Sequence, residues 1–219
     1  MRKLKLALAF ASAFFLMACA SANLKVDESW KQKPSKVKIV FTEPSVANPE
    51  DLADDLPDYV NNFSDWFKAK IEEYLPRYST GVQYSIEKIS SDKISVSNEV
   101  VNDTNVVVPK ITEMNSEHEV YLVINDIWIG RTTDICHASH NVNSGLGFTT
   151  TVDSDYECKV FAGKGAFAYY DSKTGKRLAY GRFANHSTYT FAVTKSDWEN
   201  IVWRMLGEII PGTPLNLRR

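Results

Sequence analysis

Glu119-Val120-Tyr121-Leu122-Val123-Ile124-Asn125-Asp126-Ile127-Trp128-Ile129 is the stretch on which the fold turns. It is almost continuously apolar and rich in β-branched side chains, and it reads as a strand at the centre of a sheet. Asp126 is the only carboxylate between residues 120 and 129. A single carboxylate does not make an acid–base pair.

Upstream, Val37-Lys38-Ile39-Val40-Phe41 alternates, with Val37, Ile39 and Phe41 on one face, and predicts a first strand ending at Glu43-Pro44. Leu52, Leu56, Tyr59, Val60, Phe63, Phe67, Ile71 and Tyr74 then recur at steps of three and four, the pattern of one amphipathic helix. Asp54 and Asp55 near its start favour the helix dipole, Pro57 fits a first turn, and Leu75-Pro76 ends it. Val82, Tyr84 and Ile86 alternate as a second strand. Residues 90–118 are polar, with short β-branched pieces at 94–96 and 106–108, and read as edge strands or an irregular insert.

Downstream, residues 131–157 are rich in Thr, Ser, Asn and Gly and follow neither period, so they read as a long loop with room for a hairpin. Residues 158–170 form a long strand. Residues 171–176 make a turn with Gly175 suited to a positive φ, and residues 177–185 return as the partner strand. The small residues Gly163, Gly165, Ala166, Ala168 and Gly181 imply a closely packed helix or a bend. Ser196-Asp197-Trp198-Glu199 has the form of a capping box. The helix behind it buries Trp198, Ile201, Val202, Met205, Leu206 and Ile209 before Pro211-Gly212. The resulting expectation is an α+β fold, a mostly antiparallel sheet with two helices packed on one face, in a single domain over residues 37–215.

The amino terminus is built differently. Met1-Arg2-Lys3-Leu4-Lys5 is basic, and residues 6–18 are apolar apart from Ser12. A membrane-spanning helix needs roughly 20 apolar residues, so this run suits the core of a signal peptide over residues 1–18. Leu16-Met17-Ala18-Cys19 resembles the lipobox of bacterial envelope lipoproteins, in which the Cys becomes the first mature residue. The resemblance implies diacylglycerol on the Cys19 thiol, usually a further acyl chain such as palmitate on the new amino terminus, and attachment to a membrane through those chains. It implies a place in the bacterial cell envelope. Ala20 and Ser21, with no Asp after the Cys, point to the outer membrane under enteric-type sorting. Ala18-Cys19-Ala20 and Ala20-Ser21-Ala22 also fit ordinary secretory cleavage, which is the rival reading. Residues 19–36 show no period and read as the anchor and a flexible tether, with Trp30 either docked on the domain or loose.

Loss of residues 1–18 removes Arg2, Lys3 and Lys5 from 25 basic residues and leaves all 27 acidic ones, a net charge of about −5. That balance disfavours nucleic acid and anionic lipid, both of which need a basic surface. The exported chain meets an oxidising compartment, where Cys136 and Cys158 are expected to pair. The alternatives are two free thiols and a zinc set completed by His137 and His140. Its spacing lacks the paired short loops of zinc modules, so no metal or cofactor is expected. The chain has no Gly-x-Ser-x-Gly elbow and no phosphate-cradling Gly loop.

These residues point first to an envelope lipoprotein without enzymatic activity, acting by binding an envelope protein partner or supporting an envelope assembly. Its contact surface is expected on the 131–157 loop, with Phe148 and Tyr156 as aromatic anchors beside Arg131, His137 and His140. One alternative is an accessory lipoprotein of a transport system, holding lipid or another apolar ligand in a groove between sheet and helices. The other is an enzyme, which would gather Asp126 with His137, His140 or His186 in one cleft.

Overall fold

The computed structural model describes residues 24–59, 61–101, 104–144 and 148–216, without the side chains of residues 57, 140–144 and 148–152. Cys19 and the signal-like segment lie outside the described residues. The strands are β1 (Leu24–Val26), β2 (Lys36–Phe41), β3 (Ser45–Val46), β4 (Gln83–Lys88), β5 (Ile94–Val101), β6 (Thr104–Ile111), β7 (Val120–Ser144), β8 (Phe148–Asp171) and β9 (Arg177–Thr188). The helices are α1 (Pro49–Asp55), α2 (Phe63–Tyr74) and α3 (Lys195–Ile209).

The main sheet runs β1-β9-β8-β7-β2-β4, with β3 paired to the far part of β7. It is mixed, which corrects the expectation of a mostly antiparallel sheet. The β2–β4, β2–β7 and β3–β7 pairings are parallel, whereas β1–β9, β7–β8 and β8–β9 are antiparallel. The cause is connection length. Between β2 and β4 the chain runs through α1 and α2, a crossover that returns it to the same end of the sheet. β2 is accordingly buried on both faces, with Val37, Ile39 and Phe41 toward the helices and Val40 toward the opposite side. Lys38, the polar exception, reaches Glu87 on β4 at 2.5 Å.

Three α-helices, not two, lie on one face. The single helix expected from Leu52 to Tyr74 is broken at Leu56, whose φ of −136° and ψ of 59° are not helical. Pro57 is the reason, because a proline ring clashes with an α-conformation in the residue before it. After a 3-10 turn over Pro57–Tyr59, α2 buries Phe63, Trp66, Phe67, Ile71 and Tyr74. The cap of α3 is Thr194, two residues before the expected Ser196. Thr194 donates to the Asp197 carboxylate from both its N–H and its hydroxyl, at 2.8 Å each, and the remainder of the helix buries the predicted apolar set. Gly163 makes room for it, since a Cβ there would lie 2.3 Å from Ile201 Cγ2.

On the opposite face β5 and β6 form a separate two-stranded sheet. Val101, Val106, Val108 and Ile111 cover Val40, Tyr121, Val123, Ala168 and Tyr170. Residues 24–36 also differ from the expected tether. β1 pairs with β9 from Leu24↔Gly181 to Val26↔Ala179, and Trp30 is buried with its ring 5.1 Å from that of Tyr169. Asp27 holds the segment down through Lys176 at 2.8 Å and Ser29, and these bonds keep its carboxyl well below the usual range. A short strand and one aromatic carry no period, so composition alone reads as linker.

Candidate functional site

Beyond the last rung shared with β9, Val160↔Thr188, strands β7 and β8 continue alone as a two-stranded ribbon. It runs for twelve pairs, from Thr133↔Lys159 to Ser144↔Phe148. At roughly 3.4 Å per residue it projects about 40 Å. The expected long loop is therefore a β-ribbon. Its sequence hides this because a ribbon standing in solvent has no buried face to impose alternation.

An isolated hairpin is marginal in water, so the ribbon needs fastening. The Cys136–Cys158 disulfide supplies it, with the Cα atoms 5.8 Å apart on diagonal positions near the root. Cross-strand partners add to it. His137 Nδ1 lies 2.5 Å from Asp155 Oδ1, and the Ser139 hydroxyl donates to Asp153 at 2.6 Å. His137 is thus joined to a carboxylate and not to the two sulfurs, which are bonded to each other.

Arg131 sits at the root and is engaged internally. Its Nη2 donates to Asp55 at 3.1 Å, and its Nε lies 2.9 Å from the Asp51 carboxylate, an ion pair without hydrogen-bond alignment. Trp198 Nε1 donates to the same Asp55 oxygen at 3.0 Å. One carboxylate thus ties β7, α1 and α3 together where the ribbon leaves the sheet. Tyr156 is 52% exposed and Ile135, which sequence reading passed over, is 65% exposed. Phe148 pairs with Ser144 and His140 with Val152 in the ladder, but their side chains are outside the description.

A second feature lies where β2, β4 and the first part of β7 end together. A cleft of about 720 Å3 is lined by Thr42, Glu43, Lys88, Val96, Asn125 and Asp126 among others. A bulge between Asn125 and Trp128 shifts the β7 register, and Asp126 within it has φ 54°. Asp is one of the few side chains that adopt this region at small cost. Gly165 faces the bulge, and a Cβ there would lie 2.6 Å from Phe183 Cζ and 3.1 Å from Asn125 O. Asn125 accepts from the Thr42 hydroxyl at 3.0 Å. Burial alone would raise the Glu43 carboxyl, but Lys88 at 2.6 Å and the Ser64 hydroxyl outweigh it and hold it below its ordinary value.

Asp126 is the carboxylate singled out in the sequence, and neither His137 nor His186 joins it in the cleft. Among the described residues no cluster of His, Cys, Asp or Glu could hold a metal ion. The space between sheet and helices, where an apolar ligand was considered, is filled by Phe41, Phe67, Phe161, Phe167 and Trp198, all fully buried. No described helix is long and apolar enough to cross a membrane.

No family profile matches the chain, and no curated protein does. Among solved structures, it is similar to a proposed neuraminyllactose-binding hemagglutinin homolog from Helicobacter pylori. The identity is 10%, with 84% of this chain and 85% of that one covered and a TM-score of 0.35. It is also similar to a PelC dodecamer from Paraburkholderia phytofirmans, at 7% identity over 85% and 96% of the two chains, with a TM-score of 0.34.

Proposed function

We propose that the chain is a lipid-anchored protein of a bacterial outer membrane that acts by contact with an envelope protein partner, and that the ribbon of β7 and β8 is the contacting element. The observation that carries this reading is the ribbon itself. Twelve rungs extend past the sheet, with a disulfide near the root, although the hydrophobic core needs none of them. A fastened ribbon loses less conformational entropy on docking than a loose loop would. Among the described residues both of its outer edges lack strand neighbours, and unpaired edges accept a partner's strand through main-chain hydrogen bonds. Tyr156 and Ile135 supply exposed apolar surface beside them.

The anchor rests on the lipobox-like Leu16-Met17-Ala18-Cys19. With Cys19 acylated, the chain is held at a membrane and its partner is met there. The test is affinity purification of the tagged, membrane-extracted protein, with residues 134–158, both cysteines included, replaced by a Gly-Ser link in a parallel sample. The shortened protein folds, reaches the membrane and loses the partner that the intact protein retains. A partner retained without the ribbon removes the ribbon from this role.

A further inference from the structure

β2 and β4 are adjacent and parallel, and the chain leaves their carboxyl ends toward opposite faces of the sheet. After β2 and the short β3 it crosses to the face that carries α1 and α2. After β4 it crosses to the face covered by β5 and β6. Neither connection covers the strand ends, so a crevice opens between them. Such a crevice is where sheets with parallel strands receive ligands. The cleft of about 720 Å3 lies there, and its volume is in the range of small-ligand sites.

The lining decides the chemistry. Glu43 and Lys88 close on each other at 2.6 Å, so their charges offset one another. Asp126 is exposed and has no hydrogen bond or ion pair among the described residues, which leaves it the one uncompensated charge of the lining. It is also the one non-glycine residue among those described with a positive φ. A bulge of this kind re-aims a side chain. Beside it, Asn125 uses its Oδ1 to accept from Thr42, and its two amide N–H groups have no partner among the described residues. The hydroxyls of Ser45 and Ser91 are likewise free there. Val96 and Val107, 60% and 36% exposed, form an apolar wall.

A fitting ligand meets a lone acceptor beside a pair of donors, carries no negative charge and covers small apolar side chains. Asp126 repels anions. An ammonium ion answers Asp126 but offers nothing to the Asn125 N–H groups, and a donor left unmatched in a shielded site costs free energy. Neighbouring hydroxyls of a sugar answer both, because each donates and accepts. The C–H groups of the ring cover the valines.

We infer that the cleft binds an uncharged sugar unit of a glycan, with Asp126 accepting from one hydroxyl and Asn125 donating to its neighbour. This site is separate from the ribbon and does not depend on acylation at Cys19.

The test uses the full mature protein purified from cells in a zwitterionic detergent that carries no sugar. The probes are the methyl glycosides of glucose, galactose and N-acetylglucosamine, with methyl glucuronide as the anion and lysine amide as the cation. Binding is read by saturation-transfer NMR and titration. At least one neutral glycoside binds, and the glucuronide binds at least tenfold more weakly. Asp126→Asn and Asn125→Asp each weaken the neutral glycoside at least tenfold, the loss expected for a hydrogen bond to a charged or shielded group. Both variants spare the fold, because Asn adopts a positive φ as readily as Asp and a carboxylate still accepts from Thr42. Calorimetry checks this. In the unaltered protein the bound glycoside slows amide exchange around residues 125–127 and not in the ribbon, a readout that needs no variant. The inference is overturned if no neutral glycoside binds, if only lysine amide does, if the folded variants bind as the unaltered protein does, or if protection falls elsewhere.

Discussion

Replacing Cys136 and Cys158 together by Ser tests the fastening of the ribbon. The bridge spans 22 positions of sequence. In the chain-entropy model a closed loop of that size stabilises by about 3 kcal/mol. If the ribbon kept its form without the bridge, the whole loss would appear in global unfolding, roughly 6–12 °C at about 2–4 °C per kcal/mol for a chain of this size. The structure argues for less. Past Thr133 and Lys159 the ribbon has no third strand, and its polar cross-strand pairs are solvent-exposed. Such a segment opens locally before the domain unfolds. The double variant therefore loses amide-exchange protection over residues 137–155, while β2, β9 and α3 keep theirs and the melting temperature falls by less than the full amount. Hydrogen exchange read by mass spectrometry, with calorimetry beside it, measures both. Unchanged protection in the ribbon, or equal loss in α3, refutes the reasoning.

Three other consequences follow from the same contacts. Asp55→Ala leaves Arg131 and Trp198 Nε1 without their shared acceptor and costs about 2 kcal/mol by chemical denaturation, in the range for hydrogen bonds to charged groups. Gly165→Ala forces a methyl into Phe183 and the Asn125 carbonyl, and overpacking of this kind lowers stability by about 1–3 kcal/mol. Glu43 has a folded-state pKa below its ordinary 4.5, so its contribution is present above that value and is lost as pH falls through the folded value. Melting curves from pH 6 to pH 3 accordingly fall less steeply for Glu43→Gln than for the unaltered protein.

β2, β4, the long β8–β9 hairpin and α3 were legible because each has a face pressed into the core, and burial writes its period into the residues. Pairing direction was not legible, since Val37, Ile39 and Phe41 show which side faces the helices but not which strand lies alongside. The break at Leu56 did have a signal, Pro57, but the apolar period runs through it because α1 and α2 cover the same face of the sheet. The ribbon was read as loop for the opposite reason, since it has no core to face. Of the candidate site, the disulfide followed from cysteine count and compartment. Arg131 was expected to be available to a partner, and the acids that claim it, Asp51 and Asp55, lie about 80 residues away in sequence. The bulge at Asp126 has no period to betray it.

The membrane anchor proposed for this chain hangs on Cys19, and the intact mass of the mature protein extracted from cell membranes tests it most directly. The account predicts a chain beginning at Cys19, heavier by a diacylglyceryl group and an amino-terminal acyl chain and lighter by the two protons of the Cys136–Cys158 bridge, with Cys19→Ala abolishing the lipid mass. An unacylated, soluble protein beginning at Ser21 or Asn23 contradicts it.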